Sequence, residues 1–167
     1  MLLALDLSTH STGWAVYDNK NLIDYGCIGT DLPELVRRIS KIINELDEKV
    51  LKKYKIIKII AEEVQPTGGY GIGNQKTHKA LMYLQGALVM HLYNNYKFTN
   101  IEFIYPSSWR AACDIKTGRG IKREELKQKD IEFVKEKFNI NVNDDIADAI
   151  GIGYSEVKKT SNEINFT

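Results

Sequence analysis

The stretch Leu2-Leu3-Ala4-Leu5-Asp6-Leu7-Ser8 places one carboxylate near the end of an otherwise apolar run. A run of this length reads as a buried central strand. An unpaired charge in such a place costs several kcal/mol or is driven to take up a proton. Asp6 therefore needs either a partner or a function. The turn that follows, Thr9-His10-Ser11-Thr12-Gly13, offers backbone amides as one kind of partner. The other possibility is that acids from distant parts of the chain arrive at matching places.

The chain downstream supplies the frame for that second possibility. Residues 2–8, 12–18 and 21–28 read as three strands, the latter two joined around the hairpin signal Asp18-Asn19-Lys20-Asn21. Asp31 and Glu34 have capping-box spacing with Pro33 in the first turn, and Leu35, Val36, Ile39, Ile42, Ile43, Leu46 and Val50 predict an amphipathic helix to about Tyr54. Lys55–Val64 reads as a fourth strand apolar on both faces, and residues 75–96 as a helix with Leu81, Leu84, Leu88 and Leu92 on one stripe. A fifth strand follows at 101–105, then an irregular or briefly helical segment, a charged helix over 121–138 and a last helix over 143–158. This order predicts an α/β fold, a mixed five-stranded sheet flanked by helices. At 167 residues the expectation is a single domain over 1–159 with a polar tail over 160–167.

Two further groups of acids fall at telling positions. Glu62 and Glu63 end the fourth strand, and Asp145 and Asp148 open the last helix at i, i+3 spacing, on one helix face. Each has an ordinary reading: a solvated pair at a strand end, and an acidic first turn complementing the helix dipole after an Asn143 cap. Together they suggest more. If strands one and four are neighbours, Asp6 and one of the glutamates lie side by side, and the helix can close over them. Three or four carboxylates in one place are tolerable only when cations neutralise them. Hard oxygen ligands without His or Cys suit Mg²⁺ or Mn²⁺. Two such ions, about 3.5–4 Å apart, form the clamp used for phosphodiester cleavage.

The order strand-Asp, three-strand meander, helix, strand-Glu, helix and a late D-x-x-D resembles the RNase H-like nucleases. More narrowly it resembles the RuvC-type Holliday-junction resolvases, including their phage-encoded branch. The resemblance spans nearly the whole chain. It is carried by Leu5-Asp6-Leu7-Ser8 with Thr12-Gly13-Trp14-Ala15, by Ala61-Glu62-Glu63-Val64, and by Asp145-Ile146-Ala147-Asp148-Ala149. It implies Asp6, Glu62, Asp145 and Asp148 as catalytic metal ligands, with Glu62 matching the pattern better than Glu63. It also implies Mg²⁺ (Mn²⁺ as substitute), two ions in each active site, and branched DNA cut to leave a 5′-phosphate.

A polyanionic substrate calls for Lys and Arg. The formal net charge of +1 leaves that to local arrangement. Trp109, Arg110, Lys116, Arg119, Lys122 and Arg123, interleaved with glycines, form the candidate DNA-binding segment. The ordinary reading is a solvated loop with Lys–Glu pairs behind it. Tyr70 or Ile72, in the glycine-rich loop after the glutamates, matches by position the family segment that enters the junction centre, although the glycines depart from that segment's pattern and the ordinary reading is a mobile surface loop. A four-way junction is two-fold symmetric, which implies a homodimer. Residues 75–96, with Met82, Leu84, Leu88, Met90 and Leu92, offer more apolar area than one core uses, although core packing is the ordinary use of most of that stripe. No small-molecule substrate is expected. His10, His78 and His91 lack ligand spacing, and Cys27 and Cys113 read as reduced thiols. No run approaches the ~18 apolar residues of a membrane helix, so the expected location is cytoplasmic, the host cytoplasm if phage-encoded. Two rivals remain: a non-cleaving junction-binding protein, and a phosphotransferase fragment, because Asp6-Leu7-Ser8-Thr9 with Thr12-Gly13 also resembles the phosphate turn of sugar kinases and actin-like ATPases.

Overall fold

The computed structural model describes residues 1–64, 72–118 and 120–164, the side chains of 72–74 and 160–164 excepted. Five strands form a single sheet: β1 (Leu2–Asp6), β2 (Ser11–Asp18), β3 (Asn21–Gly29), β4 (Lys58–Glu62) and β5 (Ile101–Ile104). Their order is β3-β2-β1-β4-β5. The meander β1–β2–β3 is antiparallel, while β4 lies parallel to β1 and β5 parallel to β4. The expected mixed sheet is therefore present, with β1 and β4 as central neighbours.

Side-chain alternation along the strands splits the interior into two layers. Leu3 and Leu5 of β1 and Ile59 and Ala61 of β4 face α1 (Leu35–Leu46) and α2 (Ile72–Tyr96), which contribute Ile42, Leu46, Leu84, Leu88 and Leu92. Leu2, Ala4 and Ile60 face the opposite layer. That layer is built from α3 (Pro106–Ala112), α4 (Arg123–Phe138) and α5 (Asp144–Ile164). The same alternation assigns Asp6, two residues after Ala4, and Glu62, two residues after Ile60, to this second face. Glu63 has the opposite parity.

Three local expectations differ from the structure. The capping box does not form: α1 starts at Leu35 with Glu34 as an N-cap lacking a side-chain bond, and Glu34 pairs with Arg37 instead. The Arg38 guanidinium meanwhile takes the carbonyls of Leu32 and Pro33. The helix expected to reach Tyr54 gives way to a widened π turn over Asp47–Leu51. That turn sets the Asp47 carboxylate against α2, where it accepts from Tyr96 Oη at 2.6 Å and meets His91 Nε2 at 2.8 Å. At the other end α5 runs to Ile164, six residues past the expected Lys158. Among the described residues no helix is long and apolar enough to cross a membrane.

Candidate active site

Register brings the first two acids together. Leu5 pairs with Ala61 across the parallel β1–β4 ladder, so Asp6 and Glu62 follow side by side at the carboxyl ends of the two strands. This is where open α/β sheets present their ligand sites. The turn after Asp6 does not consume it. The amides of His10 and Ser11 donate to Ser8 Oγ and that of Ser8 donates to Thr12 Oγ1, so the turn's own hydroxyls satisfy them.

The third acid arrives because α5 can lie directly on the sheet. Gly13, paired with Asp6 across β1–β2, lets the helix start touch the strand: a Cβ there would sit 1.9 Å from the Asp145 carbonyl oxygen. Gly153 meets the Tyr17 ring in the same way, and Tyr17 Oη donates to the Ile150 carbonyl at 2.8 Å. Asn143 Oδ1 caps α5 by accepting from the Ile146 amide at 3.0 Å.

The result is a cluster of Asp6, Glu62 and Asp148, each offering an oxygen within 4.8 Å of the others. Asp145 stands beside it and accepts a hydrogen bond from Ser11 Oγ, which also meets Cys27 Sγ at 3.0 Å. Burial, then the charges of Glu62 and Asp145, hold the Asp6 carboxyl well above the usual range. Burial raises Glu62, against an opposing hydrogen bond from Trp109. Asp148 is pushed up to about 9 by burial and then by Asp6. Asp148 Oδ1 is buried without a hydrogen-bond partner among the described residues. Three converging carboxylates, one with an orphaned oxygen, are a donor set suited to a hard divalent cation.

The basic segment divides into two parts. Trp109 and Arg110, expected to face DNA, are instead buried in α3, 0% and 9% exposed. Trp109 Nε1 donates to Glu62 Oε2 at 2.8 Å. Arg110 binds Asp130 bidentately, with Nη2–Oδ2 at 2.7 Å, and reaches Asp148 Oδ2 at 3.4 Å. Their apolar and paired surroundings, rather than solvent, absorb them. Lys116, Lys122 and Arg123 are exposed, and Arg123 lies near enough to oppose the upward shift of Glu62. Tyr70 and Arg119 lie outside the described residues. Ser11 and Asp130 were missed from sequence. Asp130 did leave a signal: it interrupts the i, i+4 stripe Leu126, Asp130, Val134 on α4, where an apolar residue belongs.

A mixed sheet ordered β3-β2-β1-β4-β5, with helices on both faces, is the arrangement of the RNase H-like fold, and here acids stand at the carboxyl ends of β1 and β4 and on a helix laid across them. Comparison with protein-family models and with curated proteins yields no match. Solved structures do match. A Thermus thermophilus RuvC in complex with a Holliday junction substrate aligns with a TM-score of 0.72 at 14% identity, over 96% of this chain and 94% of that one. A second T. thermophilus RuvC structure gives 0.67 at 14% identity, over 95% and 94%. The yeast mitochondrial Holliday junction resolvase Ydc2 gives 0.59 at 13% identity, over 97% and 80%. The fold is that of the RuvC-type resolvases.

Proposed function

We propose that the chain, acting as one nuclease domain over 1–159, is a Mg²⁺-dependent endonuclease that resolves Holliday junctions by paired cuts in branched DNA. The observation that carries this reading is the convergence of Asp6, Glu62 and Asp148 at the carboxyl ends of β1 and β4. It occurs on a fold shared with a RuvC structure holding a junction substrate. The acids would hold Mg²⁺, with Mn²⁺ as substitute and two ions per site, and Asp145 beside them completes the set of four. When bound, the ions supply activation of the attacking water and stabilisation of the departing oxygen.

The chain's own residues prepare the site. Asp6 and Glu62 are fixed by strand register, and Asp148 is carried in by a helix seated on Gly13. Ser11 restrains Asp145. Exposed Lys116, Lys122 and Arg123 are the phosphate-contacting candidates on the described surface, with Tyr70 and Arg119 retained from sequence. A homodimer would set two sites against the two-fold symmetric junction. Its interface would use the outer face of α2, where Met82, Tyr83, Met90 and Tyr93 are 47–62% exposed. A non-cleaving junction binder would be expected to have lost a ligand, and all four acids, Asp6, Glu62, Asp145 and Asp148, are present in the sequence.

The test is cleavage of a synthetic four-way junction beside its matched linear duplex. With Mg²⁺ the junction should be nicked at two symmetric positions and the duplex left whole; equal cutting of both removes the junction claim. Asp6→Asn should abolish cleavage and keep junction binding, because the phosphate contacts lie elsewhere.

A further inference from the structure

We infer that α3 positions the metal-binding carboxylates: Trp109 fixes Glu62 through its indole N–H, and Arg110, locked by Asp130, restrains Asp148. The inference rests on the metal-site reading above and concerns residues that touch the ligands rather than the substrate.

Trp109 is held on several sides. A Cβ on Gly151 would lie 2.6 Å from the Trp109 ring, so that glycine makes room for the indole. The Arg110 guanidinium sits 4.3 Å from the ring centre. A ring so confined aims its N–H at one place, and that place is Glu62 Oε2 at 2.8 Å. An indole N–H donates and cannot accept. It therefore orients a carboxylate without competing for the cation. Core filling alone does not account for the contact. Trp14 buries its own Nε1 with no partner among the described residues, so an indole in this fold can do without one.

Arg110 works at the neighbouring ligand. Asp130, 1% exposed on α4, receives Nε and Nη2 together and so fixes the guanidinium plane. The remaining reach of Nη2 is toward Asp148 Oδ2, whose carboxyl also faces Asp130, while Asp148 Oδ1 makes no hydrogen bond among the described residues. Two consecutive residues of one short helix thus restrain ligands from β4 and from α5. Ligands oriented before the cation arrives lose less side-chain freedom on binding it.

The experiment is a Mg²⁺ titration without DNA, followed by calorimetry and thermal shift, on wild type, Trp109→Phe, Glu62→Gln and the double variant. Trp109→Phe keeps an aromatic ring in the buried position, with some loss of volume, and removes the donor. It should stay folded by circular dichroism and bind Mg²⁺ about 10- to 100-fold more weakly, with no further loss when Glu62 is already Gln. Wild-type Mg²⁺ affinity in Trp109→Phe, or an equal loss in the Glu62→Gln background, overturns the inference. Indole ¹H–¹⁵N resonances of the wild type provide a check that needs no Trp109 variant. One should move with Mg²⁺ and with Glu62→Gln, and two silent resonances refute the contact. A wild type indifferent to Mg²⁺ removes the metal reading and this inference with it, whereas a responsive wild type matched by Trp109→Phe removes the inference alone.

Discussion

Gly13→Ala isolates the contact that brings α5 to the sheet. The added methyl would stand 1.9 Å from the Asp145 carbonyl oxygen and 2.6 Å from its carbon, both backbone atoms that no rotamer change can move. Reaching ordinary van der Waals separation requires the helix start to retreat by roughly 1.5 Å. The helix is pinned further along by the Tyr17–Ile150 hydrogen bond, so the retreat tilts it rather than sliding it. Overpacking costs about 1–3 kcal/mol, and a backbone obstacle belongs at the upper end. At about 2–4 °C per kcal/mol for a chain of this size, the melting temperature should fall by about 6–12 °C. Asp145 moves with the contact and Asp148 lies one turn beyond it, so junction cleavage should fall by about 10²-fold, the cost of a misplacement near 1 Å. Thermal unfolding and single-turnover cleavage read the two effects. Gly29→Ala is the control: its Cβ would meet nothing nearer than 4.0 Å, so it should stay within about 0.5 kcal/mol of wild type. A Gly13→Ala protein with wild-type melting and cleavage would refute the close seating of α5.

The remaining expectations concern charge and surface. Without metal, Asp148 keeps its proton in the folded state to about pH 9, while the unfolded chain releases it near the ordinary value of 3.8. The folded state then binds more protons across that window, so its stability is greatest at the acid end and declines as pH rises, by at most about 1.4 kcal/mol per pH unit for each such proton. The metal-free melting temperature should therefore fall between pH 5 and 9, more shallowly in Asp148→Asn, and Mg²⁺ should offset the fall; a rise with pH would contradict the shift. Met82→Glu with Met90→Glu should yield a monomer by sedimentation that nicks one strand without pairing the cuts, and an unchanged dimer would move the interface off α2. Replacing Lys116, Lys122 and Arg123 by Ala should weaken junction binding and reduce its salt slope by up to about 3. An unaltered slope would exclude them as phosphate contacts.

The sheet was legible because period-2 burial is a local property. Leu2, Ala4 and Asp6 share one face of β1, and Ile60 and Glu62 share the matching face of β4. That parity distinguishes Glu62 from Glu63 once the neighbouring strands are known. The basic segment was legible only as charge. Sequence does not tell a solvated arginine from one met by a buried acid, and Arg110 is met by Asp130, 20 residues away on another helix. The Asp130 interruption of an apolar stripe was the available warning. The failed capping box has a similar cause: Asp31 and Glu34 have the right spacing, but Arg38 takes the carbonyls of Leu32 and Pro33 and the helix starts one residue later than Glu34. The link between Ser11 and Asp145 joins residues 134 apart and leaves no periodic trace.

The most direct test is an anomalous difference map from crystals soaked in Mn²⁺. The strongest peak should fall among the carboxylates of Asp6, Glu62 and Asp148 and vanish in Asp6→Asn crystals. A peak elsewhere, or none in a protein that still cleaves junctions, would contradict the site.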